Sequence, residues 1–206
     1  MQDVSVGSWA PQPHFSDERL GSLRDLNHRF LDLIGAHVGD WRVPGGLRLP
    51  GEVSGQVAPL SAAQRSQAAN CPYALFDLRF HDDEHWRARL SRAGHWRIAD
   101  EAMVENDTAN FVQLALFYAW HVASTTKVVA QLLLGMNEHT AAAFRGVTLD
   151  CLPALAASEA VNLTARWCTS NAYWSALVYA ASRTDAARLR RVQLFGLQLA
   201  AAASLP

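Results

Sequence analysis

Apolar residues recur with the helical period over most of this chain and alternate with the strand period in two short stretches. The pattern predicts a helix over 16–38, capped by Ser16, with Leu20, Leu23, Leu26, Phe30, Leu33 and Ile34 on one face. Residues 39–55 hold Pro44, Gly45, Gly46, Pro50 and Gly51 and read as a long connector or a surface loop that a partner could order. Ser61 caps a short helix that ends before Pro72. Residues 73–80 and 162–167 read as strands or extended segments able to pair with each other. Residues 83–97 are mixed and partly helical, with Trp86, Leu90, Trp96 and Ile98 inward and Arg87, Arg89, Arg92 and Arg97 outward. Asp107 caps the longest predicted helix, 108–134, which is apolar on nearly every face and so is either the centre of a bundle or a subunit interface. Helices over 171–182 and 185–203 complete the pattern, and the last is again more apolar than one buried face requires.

Between these lies 134–167. Asn137 caps a helix that stops at Gly146, and Thr148 caps a second, with Asp150 in its first turn and Leu149, Leu152 and Leu155 on its buried face. Two short helices across a Gly turn outline a helix-turn-helix or another helical hairpin. The segment 60–80 superimposes without a gap on 147–167: Ser61 on Thr148, Phe76 on Leu163, Arg79 on Arg166, Phe80 on Trp167. A Trp follows each, Trp86 and Trp174, with one residue inserted. The chain thus reads as two copies of one module, the second better kept.

The order Leu134, Gly135, Met136, Asn137, Glu138, then Val147, Thr148, Leu149, then Leu155, Ala156, then Ala165, Arg166, Trp167 resembles the core of FlhD, a subunit of the bacterial flagellar master regulator. The resemblance covers chiefly 107–177 and more faintly 26–90. It implies a helical, non-catalytic subunit that dimerises and works with a second subunit, FlhC, which carries a zinc site and much of the DNA contact; related pairs control transfer genes of some mobile elements. This chain departs from the family in its tandem copy, and in having Leu163 and Phe76 where the family has a cysteine, so that family's intersubunit disulfide is excluded. Two copies in one chain would form a built-in pseudo-dimer, with a pseudo-twofold relating 61–80 to 148–167.

Composition narrows the function classes. Half the residues are hydrophobic and the 18 Lys and Arg nearly balance 19 Asp and Glu, so this is not a basic nucleic-acid binder by composition. The three cysteines, Cys71, Cys151 and Cys168, share no CxxC spacing and read as buried or free thiols of a reducing cytoplasm. No leader pattern or bilayer-length apolar run is present in the sequence, which gives the expectation of a cytoplasmic protein with no membrane partner.

Candidate chemistry is sparse. No GxSxG elbow, HExxH, Walker loop or dinucleotide fingerprint occurs, and the expectation is no enzyme and no cofactor. His81 and His85, one turn apart among Asp82, Asp83 and Glu84 and with Cys71 upstream, form either a metal site or a solvated charged turn. Two clusters are either candidates for DNA contact or exposed faces balanced by Asp82, Asp83, Glu84 and Asp185: Arg79, Arg87, Arg89, Arg92 and Arg97 with His81, His85 and His95, and Arg183, Arg188, Arg190 and Arg191. Arg145 is the cation of the 134–167 hairpin, whose second helix is poorly equipped to read base edges. Partner-interface candidates are Phe117, Trp120, Val128, Leu132, Phe195 and Leu199.

The expected architecture is therefore mainly α, a helical bundle with helix-turn-helix-like hairpins and one or two short strands, pseudo-symmetric in two copies. The organisation is an irregular leader (1–15), a first module (16–100) and a second module with C-terminal helices (101–206). The expected function is a transcriptional regulator or its accessory subunit, acting by protein association with weak or shared DNA contact, possessing an FlhC-like or identical partner. The alternative is a protein-binding adaptor or chaperone of a motility or secretion system that touches no DNA.

Overall fold

The structure, a computed structural model, describes residues 17–37, 47, 49–93, 107–125 and 127–203. The expectations for residues 1–15, for 39–46 and for His95, Trp96, Arg97 and Ile98, and for the side chain of Arg92, lie outside the described residues. The fold is mainly helical, with one two-stranded sheet, as the periodicity requires.

Helix α1 (Asp17–Ala36) buries Leu23, Leu26, Phe30, Leu31, Leu33 and Ile34. A helix also forms where a connector was expected: α2 (Gly51–Val57) starts after Pro50 and buries Val53 and Val57, one turn apart. Gly51 and Gly55 lower its helix propensity, so its packing and not its local preference holds it. Helix α3 (Ala62–Ala69) has a capping box, Ser61 accepting from the Gln64 amide while the Gln64 side chain accepts from the Ser61 amide. Strand β1 (Phe76–Asp77) leads to α4 (Asp83–Ala93), with Asp82 Oδ1 accepting from the His85 amide at 2.9 Å.

The predicted helix 108–134 is two helices, α5 (Asp107–Thr125) and α6 (Lys127–Leu134). Residue 126 between them lies outside the described residues, and the Thr125 hydroxyl donates back to the carbonyls of His121 and Val122. Helix α7 (Glu138–Arg145) is capped by Asn137, whose Oδ1 accepts from the Thr140 amide at 2.7 Å. Thr148 makes no side-chain cap. The chain instead enters α8 (Leu152–Glu159) through a 3-10 turn that leaves Leu149 exposed rather than buried. Strand β2 (Thr164–Ala165), α9 (Asn171–Ser182) and α10 (Ala186–Ala202, capped by Asp185) follow.

Strands β1 and β2 pair antiparallel, Phe76 with Ala165 and Asp77 with Thr164. Around this ladder the same small structures recur at one constant offset. Arg79 and Trp167 both take positive φ, 58° and 52°. The Asp82 amide donates to the Arg79 carbonyl, and the Ser170 amide to that of Trp167. Trp86 Nε1 donates to the Leu78 carbonyl, and Trp174 Nε1 to that of Arg166. The equivalence is shifted by one residue from the gapless superposition: Arg79 answers to Trp167, not Arg166. Packing repeats too: α1 lies on α2 and α3, and α5 on α7 and α8. Across the halves α2 lies on α9 and α4 on α7, while α1 meets α5. Among the described residues α6 and α10 have no counterpart in the first half.

Two buried polar groups tie this crossing together. Asn27 donates to the carbonyls of Ala69 and Tyr73 and accepts from the Leu75 amide at 2.8 Å, joining α1 to the end of α3 and the approach to β1. Arg166, 6 % exposed, donates to the Leu133 carbonyl at the end of α6, where a cation suits the helix dipole. Gly135 at φ 71° makes room: a Cβ there would stand 2.7 Å from Arg166 Nη2. Phe30, Phe76 and Phe111 interlock at centroid separations of 5.1–6.0 Å, so α1, β1 and α5 share one aromatic cluster. Asn27→Ala removes three hydrogen bonds to buried backbone, of which only the Ala69 carbonyl keeps another donor, the Cys71 amide, and is expected to destabilise by roughly 2–4 kcal/mol in urea unfolding; a loss below about 0.5 kcal/mol would show that the clamp carries nothing.

Candidate interaction surfaces

The two arginine clusters differ in kind. On α4 and in the turn before it each described guanidinium meets an acid: Arg79 pairs with Asp82, Arg87 with Asp83, and Arg89 Nε lies 2.8 Å from Glu159 Oε1. Asp82 is held below the usual carboxylate range, first by the His85 amide and then by Arg79. Glu159 is fully buried, and its second oxygen lies 2.8 Å from His85 Nε2 and accepts from Asn162 at 2.7 Å. Arg89 and His85 thus lock α4 to the end of α8 across the two halves, and the Arg89 charge is met inside the fold. Arg145, exposed in the last turn of α7, adds a single cation to that hairpin.

The corner between α9 and α10 is different. Tyr179, 48 % exposed, lies under two guanidiniums, with Arg183 Cζ 5.7 Å and Arg188 Cζ 4.8 Å from its ring centroid. Arg190 and Arg191 stand exposed one turn further on, and among the described residues no acid pairs with either. The carboxylate of Asp185, which caps α10, is 4.0 Å from Arg188 Nε. Thr184 at φ 52° makes the tight turn that sets α9 and α10 side by side and brings Arg183 and Arg188 to Tyr179. Arg183 and Arg188 were visible in the sequence; Tyr179 was not singled out, although its place four residues before Arg183 is the helical spacing that brings them together.

The apolar candidates also divide. Phe117, Trp120 and Leu199 are partly buried against the core, and Trp120 Nε1 donates to the Val147 carbonyl at 3.0 Å. Leu132 is half-buried on α6. Val128 is 61 % exposed and Phe195 38 %, and the outer side of α10 adds Leu194 at 60 %. Leu194 and Leu197 belong to the excess of apolar residues noted in the last helix; the wheel alone could have assigned them outward, opposite Leu189, Val192, Gly196 and Ala200. Gly196 is where α10 seats: a Cβ there would lie 2.3 Å from Tyr73 Cζ, in a ring that is fully buried.

Beneath α10 lies a closed polar cluster. Tyr173 Oη donates to Tyr73 Oη at 3.2 Å, Tyr73 reaches toward the Val192 carbonyl, and Cys71 Sγ donates to the Ala68 carbonyl. Burial pushes the Cys71 thiol up to about 12 and both phenols well above their usual range. In the other half His85 stands against Glu159 where Tyr173 stands against Cys71, so one cluster is neutral and the other ionic. His81 is exposed in the turn before α4, 3.8 Å from Asp77, and points to no shared site with His85 and Cys71. Among the described residues no three His, Cys, Asp or Glu side chains are grouped to hold a metal, and no helix is long and apolar enough to cross a membrane.

The raised thiol fixes a pH dependence. Above its ordinary value near 9 the unfolded chain gives up the Cys71 proton while the folded chain keeps it, so stability is full below pH 9 and falls as pH climbs toward 12. Tyr73, Tyr118 and Tyr173, also raised by burial, steepen the loss above pH 10. Urea midpoints should fall from about pH 9 upward, with a shallower first step in Cys71→Ala; midpoints flat to pH 10.5 would contradict the buried cluster. Comparisons with protein-family models, with curated proteins and with solved structures return no match.

Proposed function

We propose that this chain is a non-catalytic subunit of a cytoplasmic transcription-regulating assembly, working through protein association and making a weak, shared contact with DNA. The observation that carries the reading is the α9–α10 corner, where Arg183 and Arg188 flank the exposed Tyr179 ring and Arg190 and Arg191 remain without acids among the described residues. Phosphates are met by such unneutralised guanidiniums, and an exposed aromatic beside them offers a face for sugar or base. The α4 cluster has little to offer DNA, since its cations are matched by Asp82, Asp83 and Glu159. The FlhD-like order of residues 134–167 supports the same reading, with base-specific contact left to an FlhC-like partner, because α8 carries no Arg or Lys with which to read base edges.

The second reading, a protein-binding adaptor without DNA contact, draws on the exposed apolar side of α10. Fluorescence anisotropy with a random-sequence duplex separates the two. Weak binding is expected at low salt, with a steep salt dependence. Arg188→Glu with Arg191→Glu should weaken it and lower the salt slope by about 2, and Arg87→Glu should leave it unchanged. No binding at roughly 50 mM salt, or binding indifferent to the α10 reversals, favours the adaptor.

A further inference from the structure

Helix α10 is attached to the fold differently from the helix before it. Helix α9 buries Tyr173, Trp174 and Leu177 completely, and Gln64 donates to the Ser182 carbonyl at 2.8 Å, so the chain is pinned as far as Ser182. Helix α10 packs chiefly on α9 and turns small residues inward. Leu189, Val192, Gly196 and Ala200 face the fold, while Leu194 and Leu197 face out and Phe195 rests half-exposed on Tyr173. Burial stabilises in proportion to the apolar area removed from water, and a glycine, an alanine and a valine remove little. Among the described residues its polar ties to the first half are an exposed bond from Gln193 to the Asn70 carbonyl and one from Tyr73 Oη to the Val192 carbonyl at 3.5 Å, the long limit of such a bond.

The repeat points the same way. At the offset that sets Arg79 on Trp167 and Trp86 on Trp174, Tyr73 answers to Val161, which is 55 % exposed. The second half thus keeps its fold with that place uncovered. The joint is strained as well: Thr184 is β-branched at φ 52°, a conformation costly for such a residue and relieved when the joint opens. We propose that α10 is a hinged strap that opens as a unit about Thr184 while the rest of the fold stands. Closed, it seats Gly196 on the Tyr73 ring and sets Arg188 over Tyr179. Open, it carries Arg188 away and bares the phenol cluster beneath, in which Cys71 is buried. The strap thereby assembles and dismantles the corner assigned above to DNA. That consequence rests on the DNA reading; the opening itself does not.

Amide hydrogen exchange of the full chain, read by mass spectrometry, tests it. The amides of α10 are expected to exchange roughly 100-fold faster than those of α5 or more, with 173–180 of α9 as slow as α5. Gly196→Ala places a methyl against the buried Tyr73 ring. It should speed α10 exchange, and labelling of Cys71 by an aromatic disulfide as located by peptide mapping, about 10-fold or more with α5 unchanged. Thr184→Gly removes the strain and should act in the opposite sense, slowing α10 exchange roughly 5-fold. Exchange of α10 and α5 at one rate, a Gly196→Ala chain in which α5 loosens as much as α10, or faster α10 exchange in Thr184→Gly overturns the strap. Duplex DNA separates the two proposals. A strap that opens alone but exchanges no more slowly with duplex bound leaves the opening standing and removes the corner as the contact. A corner that binds duplex on a chain whose α10 and α5 exchange together leaves the contact standing and removes the strap.

Discussion

The pairing of Phe76 with Ala165 and of Asp77 with Thr164 brings together two pieces of chain far apart in sequence, and much of the architecture follows from that crossing. Two residue pairs could not hold as an isolated hairpin. They persist because each strand leads into a turn closed by a buried tryptophan, Trp86 on the Leu78 carbonyl and Trp174 on that of Arg166. Each turn then launches a helix that packs on the other half, α4 on α7 and α9 on α2. The apolar face of each half is therefore completed by the other. Asn27 pairs the Tyr73 carbonyl and the Leu75 amide, and Arg166 adds a second donor to the Leu133 carbonyl, which the Ala74 amide also meets; satisfying these groups specifies one arrangement of the chain.

Departures from the repeat are where the surface acquires character. The neutral cluster of Cys71, Tyr73 and Tyr173 is roofed by α10, whereas the equivalent place in the other half holds Glu159, His85 and Arg89 with Val161 exposed. An apolar roof suits a site of thiol and phenols, and an ionic cluster suits a site at the rim. Helix α10 thus breaks the symmetry twice. It covers one side and adds cations and exposed leucines that the first half shows no equivalent of among its described residues. The proposed DNA contact draws on Arg188, Arg190 and Arg191 of this unduplicated element, beside Tyr179 on α9.

Local chemistry was the legible part of the fold. Ser61, Asn137 and Asp185 cap the helices they precede because short polar side chains before an apolar-periodic run act within three residues. The pairing of 73–80 with 162–167 could also be read, since the same alternation recurs in both. What escaped depends on contacts distant in sequence. Val53 and Val57 make α2 a helix despite its glycines only by burial. Thr148 looked like a cap, yet the chain takes a 3-10 turn there and turns Leu149 outward. The arginines of α4 looked as available as those of α10 because the acid that neutralises Arg89, Glu159, lies in the opposite half and is invisible to any local reading.

Expression of residues 17–93 and 107–203 as separate chains tests the mutual completion of the halves most directly. Folded alone, each would leave a strand unpaired and the faces of α4, α7, α2 and α9 open. The account predicts that neither half unfolds cooperatively on its own and that mixing them restores a 1:1 complex with cooperative urea unfolding. Two halves that each fold cooperatively in isolation, and do not associate when mixed, would contradict it.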